Sequence, residues 1–301
     1  MPANNAILPI VLSTIDRTST LIQSPPMIYK HYRKRFAARA IALGLIVALS
    51  ACADDDADAY QARTVERLYN LGVDALQRED FKGAVLSFDE VERQHPYSVW
   101  STKAQLMSAF ASYKRDDYDE AVIGLDRFIE LNPGNSDVAY AYYLKGVSYY
   151  EQISDVGRDQ KMTELARESL QDIMRRYPDS KYGRDARAKL DLVDDHLAGK
   201  EMAVGRYYQT RREYLAAINR FRSVLQDYQT TTHAPEALLR LTESYLALGI
   251  TDEAQMATAV LGHNFPGSKW YEDSYALLEK RNLQPLQKEG SWLSWMWDWA
   301  Y

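Results

Sequence analysis

The sequence predicts an all-α chain, a right-handed α-solenoid of five helical hairpins closed by a C-terminal capping helix. Three observations predict it. From Thr64 onward a set of small, aromatic and proline residues returns at fixed internal spacings, the mark of stacked supersecondary units. Glycine and proline are sparse, 14 and 10 in 301 residues, so long helices run without interruption. Four similar turns divide the helical stretches: His95-Pro96-Tyr97-Ser98, Asn132-Pro133-Gly134-Asn135-Ser136, Tyr177-Pro178-Asp179-Ser180 and Phe265-Pro266-Gly267-Ser268. In each, proline stops one helix and a serine stands ready to cap the next.

The N-terminal part obeys different rules. Residues 1–26 are of mixed polarity and end in Pro25-Pro26, which does not suit a signal peptide. Met27 is the expected start, with a long atypical n-region as the alternative. Lys30, Arg33, Lys34, Arg35 and Arg39 then form the basic n-region and Ala40 to Leu49 the apolar h-region. Leu49-Ser50-Ala51-Cys52 follows, with the chain's only cysteine. Small side chains before a lone cysteine at the end of such a run resemble the lipobox of bacterial lipoproteins. That resemblance implies cleavage before Cys52 and a covalent diacylglyceryl and N-acyl lipid on it, which anchors the mature protein. Ala53 stands where an aspartate retains enteric lipoproteins at the inner membrane, so it implies export to the outer membrane. Asp54 to Asp58 read as a solvated tether held extended by like charges.

The expected organisation is residues 1–51 as upstream segment and signal, 52–63 as lipidated tether, 64–282 as repeats and 283–301 as a tryptophan-rich tail. Of 36 basic and 42 acidic residues, the first 51 positions hold six and one. The mature part therefore carries 30 and 41, near −11, with no basic stripe, which argues against nucleic-acid binding. No run beyond Cys52 approaches the roughly 20 apolar residues of a membrane span.

Within the first unit, Leu71-Gly72 is followed by Ala84 twelve residues on, Phe88 four later and Pro96 eight later. With Leu68 and Ala75 this resembles the 34-residue tetratricopeptide pattern, two antiparallel helices per unit. The small residues sit where the helices approach, and Phe88 fills the gap between units. Ala109, Ala121, Leu125 and Pro133 form the second unit; Gly146, Tyr149, Ala166, Leu170 and Pro178 form the third. In the third, about eight extra residues are expected around Ile153 to Gln160, where Ser154-Asp155-Val156-Gly157 marks a loop. The fourth gives Gly205, Tyr208, Ala217 and Phe221, with Gln229 in place of the closing proline and Pro235 after a longer link. Its first helix is expected to run about 30 residues from Lys181, with Gly199 costing roughly 1 kcal/mol without breaking it. Leu238, Leu241, Tyr245, Ala254 and Pro266 make the fifth, and a helix from about Lys269 to Arg281 caps the stack. In the tail, Trp292, Trp295, Trp297 and Trp299 either contact a partner or bilayer or fold back on the last repeat.

Positions 2, 5, 9 and 12 of each first helix are expected on the concave wall. They select Tyr69, Val73 and Leu76, then Leu106, Phe110 and Tyr113, then Tyr140, Tyr143, Val147 and Tyr150. Such an aromatic wall suits an extended peptide with aromatic or apolar side chains, although any one ring could equally pack between helices. Catalysis finds little support, because His95, His196, His233 and His263 are far apart and no nucleophile, metal or phosphate motif is present. Asp116-Asp117 and Asp194-Asp195 read as solvated charge.

A lipobox, an acidic tether and five such units with an enlarged third hairpin together resemble the BamD family, the assembly lipoproteins of the outer-membrane β-barrel assembly machinery. The likeness spans roughly Cys52 to Lys280 and is sharpest in Leu71 to Pro96, Tyr177-Pro178-Asp179-Ser180, Tyr207-Tyr208 and Ala217-Ile218-Asn219-Arg220. It implies a non-enzymatic scaffold at the periplasmic face of the outer membrane. Its C-terminal repeats would dock the periplasmic domains of BamA alongside other Bam lipoproteins, and its N-terminal groove would receive signals of unfolded outer-membrane proteins. Arg220 matches the family's Asn-Arg pair and would meet an acidic residue of BamA, or else be a solvated helix charge. Rival readings are another lipidated repeat adaptor, such as a secretin pilotin or a peptidoglycan-linked adaptor, whose repeats are more regular, and a hydrolase or transferase, for which a catalytic domain is missing.

Overall fold

This computed structural model describes residues 64–288 and 290–298, and among them every regular element is a helix. The five hairpins are α1 (Val65–Gln77) with α2 (Phe81–Gln94), α3 (Val99–Lys114) with α4 (Tyr118–Leu131), α5 (Val138–Tyr150) with α6 (Lys161–Arg176), α7 (Lys181–Thr210) with α8 (Tyr214–Asp227), and α9 (Ala234–Leu248) with α10 (Thr251–Asn264). A capping helix α11 (Lys269–Glu279) and a short α12 (Ser294–Asp298) complete the chain. From α1 to α11 each helix packs on its neighbours in sequence, each first helix also touches the first helix of the next hairpin, and α12 packs on α10. The second helices stay farther apart, meeting among the described residues only through long side chains such as Arg127 with Glu92 and Arg167 with the Asp227 carbonyl. That asymmetry makes the array a solenoid whose inner wall is the row of first helices.

What fixes each hairpin is a small residue facing a large one. A Cβ added to Gly72 would lie 2.6 Å from the Phe88 ring, and one added to Gly205 would lie 2.4 Å from Phe221. Phe88 and Phe221 are fully buried. Equivalent positions recur 37 residues apart at Gly72, Ala109 and Gly146, so the links between units are slightly longer than in the 34-residue pattern. The fifth hairpin departs from the rule, because Thr242 and Thr258 occupy the small and large positions. Their buried hydroxyls lie 3.2 Å apart and reach Ser274 of α11 at 3.2 and 2.6 Å.

The turns inside the hairpins repeat as well. Glu79, Asp116, Arg212 and Gly249 take φ of 60, 61, 64 and 76°. In each case the next residue's N–H returns to a carbonyl in the helix just ended, at 2.9 to 3.0 Å. This left-handed closure satisfies carbonyls that the helix end leaves open. Between hairpins, Ser98, Ser180 and Ser268 cap the following helices by accepting from Ser101, Gly183 and Tyr271 N–H. Ser136 does not cap: α5 starts at Val138, and Asn135 Oδ1 accepts the Asp137 N–H instead. Pro235 is no terminator either; it stands in the first turn of α9, where its missing N–H costs nothing.

α7 runs 30 residues unbroken through Gly199, and the third hairpin carries its extra loop between Tyr150 and Lys161. The described tail folds back. Leu293 and Met296 are fully buried in the last core cluster, whereas Trp295 keeps 38% of its surface exposed. Replacing Gly205 by Ala should lower stability by about 1–2 kcal/mol, since overpacking outweighs the gain in helix propensity. Gly134→Ala, with nothing within 4 Å, should stay within about 0.5 kcal/mol. Urea unfolding followed by circular dichroism checks both, and a stabilised Gly205→Ala would remove the proposed steric lock.

Candidate functional site

The inner wall is less open than its sequence pattern suggests. Of the ten positions expected there, Tyr69, Leu106, Tyr143 and Val147 are buried. The reason is the seam between successive first helices. Tyr69 of α1 packs on Trp100 of α3 with ring centroids 4.9 Å apart, and Tyr143 of α5 packs on Tyr182 of α7 at 5.3 Å. These rings join neighbours and have little face left to offer. Val73 and Leu76 are half-buried against the first cluster. Phe110, Tyr113, Tyr140 and Tyr150 are half-buried farther along.

Around those four the structure gathers residues that the spacing did not select. Tyr118 lies 5.8 Å from Tyr113 and donates its hydroxyl to Asp116 at 2.9 Å. Tyr182 stacks on Tyr140 at 5.4 Å, Tyr143 donates to Asp185, and Lys189 covers Tyr150 at 5.3 Å. Counting the fourth unit from Gly205 left out the N-terminal half of α7, which holds Tyr182, Asp185 and Lys189. Beside them Tyr150, Glu151, Ile153, Ser154, Asp155, Leu192 and His196 line an open cleft of about 480 Å³.

Tyr140, Tyr143 and Tyr118 hold their protons more tightly than a free phenol. Burial, and to a lesser extent neighbouring Tyr182 and Tyr113, raises Tyr140; burial followed by the Asp185 hydrogen bond raises Tyr143. Burial and then Asp116 push Tyr118 up to about 12.

Asp194 and Asp195 prove to be ties between helices. Asp194 accepts from Arg167 Nε of α6 at 2.6 Å, and burial still raises its pKa against the pull of that guanidinium. Asp195 accepts from Thr232 N and Oγ1 at 3.1 and 2.6 Å, fixing the long link before α9. Neither was evident from sequence, because adjacent acids on a helix look alike whether they face solvent or two different neighbours. No three metal-ligating side chains gather among the described residues.

In the fourth hairpin, Arg220 is exposed on α8 and its guanidinium lies 3.2 and 3.4 Å from the Glu201 carboxylate. With Tyr208, Ala216, Asn219 and Ser223 it lines a shallow cleft of about 230 Å³. Cys52 and the acidic tether lie outside the described residues. Among the described residues no helix is long and apolar enough to cross a membrane.

The profile of the YfiO family, described as an outer membrane lipoprotein, matches residues 61–261. The chain belongs to this family, the BamD family of outer membrane protein assembly factors. A relative from Caulobacter vibrioides carrying that name is 52% identical over 226 residues, 75% of this chain and 74% of its own. BamD of Rickettsia prowazekii is 47% identical over 215 residues, 71% and 86% of the two chains. BamD of Neisseria meningitidis serogroup A is 35% identical over 243 residues, 76% and 90%.

The raised phenols bear on stability against pH. An unfolded phenol titrates near pH 10, so their contribution is complete below about pH 10 and is lost as pH rises through the folded values. Absorbance at 295 nm should show part of the tyrosines ionising only together with loss of helical circular dichroism. Ionisation of all tyrosines near pH 10 with the helices intact would contradict their burial.

Proposed function

We propose that this chain is a lipid-anchored scaffold at the periplasmic face of the outer membrane, holding a barrel-forming BamA subunit, other Bam lipoproteins and unfolded outer-membrane proteins. Its C-terminal hairpins dock the periplasmic domains of BamA, and its inner wall receives targeting signals of the unfolded substrates. The observation that carries the proposal is the half-open patch of Phe110, Tyr113, Tyr140 and Tyr150 on adjoining first helices. Aromatic rings, three of them with hydroxyls, suit an aromatic-rich extended segment, since they supply contact area at low entropy cost. The buried Tyr69, Leu106, Tyr143 and Val147 shape that wall from behind, and Val73 and Leu76 extend it toward the N-terminus.

For the BamA contact, Arg220 offers an exposed guanidinium beside a shallow cleft. Its exposed pair with Glu201 is worth little, on the order of 0–1 kcal/mol, so an acidic partner residue can draw it away. Cys52 carries the diacylglyceryl and N-acyl chains, and two or more chains are what stable anchoring requires.

Arg220→Glu should lower co-purification of BamA by about tenfold or more while the helix content stays unchanged; undiminished recovery would take the residue out of the interface. For the anchor, mass spectrometry of the native N-terminus should find Cys52 first and triacylated. An unmodified Met1 or Met27 there would dispose of it.

A further inference from the structure

The tail occupies a slot built by three successive helices. After α11 the chain makes the same left-handed closure as inside a hairpin, at Asn282 with φ 57° and Leu283 N–H to Leu278 O. No helix follows directly, and the next, α12, begins only at Ser294. The chain runs back across α10 without regular structure, and Trp292 Nε1 donates to Tyr245 OH of α9 at 3.0 Å. The Arg222 guanidinium of α8 lies 4.3 Å from that indole's centroid, a cation–π distance. Ser291 Oγ donates to Glu253 at 2.8 Å, Lys288 Nζ reaches the same carboxylate at 3.3 Å, and Asn264 Nδ2 donates to the Met296 carbonyl at 2.9 Å. Leu293 and Met296 are fully buried beside them.

The backbones of α8 and α10 stay apart on either side of α9, and the tail lies in the groove between them. The corresponding groove between α2 and α4 is closed differently, by an Arg127–Glu92 ion pair and a Gln105–Glu92 hydrogen bond of 3.0 Å. Arg222, Tyr245 and Glu253 lie within the family-matched residues 61–261, and the tail lies beyond them.

We propose that the groove between α8 and α10 is a docking site for an extended partner segment with a tryptophan, aliphatic side chains one and four positions after it, and a basic residue four positions before. The chain's own tail is a tethered occupant that such a segment displaces. The seated tail displays the complementarity: a cation over the indole face, a phenol for its N–H, and Asp252 and Glu253 for the basic residue. A tethered segment has an effective concentration on the order of millimolar. The same segment offered separately at micromolar levels therefore competes poorly until the attached copy is weakened.

The test uses the full chain and a fluorescein-labelled peptide of residues 284–296. Fluorescence anisotropy should show at least tenfold tighter binding to Trp292→Ala/Met296→Ala than to the unaltered chain, and adding Arg222→Glu should abolish the gain. Equal binding to all three, or no binding to a double variant that retains its helix content, would overturn the proposal. Pairing of double-variant with unaltered chains in sedimentation would make a second copy's tail the occupant and overturn the partner assignment. Should the double variant fail to fold, hydrogen exchange on the unaltered chain decides. Amides of 291–296 should exchange at least tenfold faster than those of α9 and α10, and equal protection would make the tail an inseparable part of the core.

Discussion

The close approach of the two helices in each hairpin is the constraint from which the array follows. At Gly72 and Gly205 there is no room for even a methyl group against Phe88 and Phe221. Gly146 faces Leu170 with a Cβ allowance of only 3.2 Å. A buried ring in such a position contributes on the order of 3–5 kcal/mol when judged by truncation, far more than any exposed ion pair along the helices. The fifth hairpin gives up this term. Thr242 and Thr258 replace the steric fit with hydroxyl contacts worth about 1 kcal/mol each, and through Ser274 they tie the cap to the stack. The last hairpin thereby exchanges hydrophobic contact within itself for attachment of α11.

Hairpins three and four are not separate beads. The N-terminal half of α7 packs on α6, and its C-terminal half is the first helix of the fourth hairpin, paired with α8. One rigid element therefore carries the register across the insertion that interrupts the repeat. Arg167–Asp194 and Tyr143–Asp185 fasten α7 to the third hairpin, and Asp195 fastens it to the link before α9. Positioned this way, the inserted loop borders the cleft at Tyr150 and Leu192 without disturbing the hairpins on either side.

Much of this was legible because steric demands leave few residue choices. Where two backbones meet, Gly or Ala stands in four of the five hairpins, and proline follows the helix end in four of the links; so hairpin number, the long α7 and the cap could be read from spacing. The inner wall was legible only in part. Helical periodicity tells which side of a helix a residue occupies but not what covers that side. Tyr69 and Tyr143 sit on the expected side and are covered by Trp100 and Tyr182 of the next first helix. The Thr242–Thr258–Ser274 cluster escaped notice for a related reason, since threonine in a helix is unremarkable until its partners are known. In the tail, composition disclosed the tryptophans, yet the slot for Trp292 is assembled from Arg222 and Tyr245, distant in sequence and ordinary in isolation.

The inner wall and the fourth hairpin differ in chemistry, and the difference bears on how one scaffold would serve the two kinds of partner proposed for it. Along the inner wall, burial raises Tyr140, and burial followed by the Asp116 hydrogen bond raises Tyr118, so that wall presents ring faces and hydroxyl dipoles, which tolerate many side-chain sequences. At α8 an arginine stands exposed with a loosely held carboxylate partner, and a guanidinium demands a particular geometry from an acid it meets. A tolerant surface suits substrates that differ from one another, and a directional one suits a constant subunit. The two surfaces lie on different hairpins joined by the continuous α7, and they share no residue.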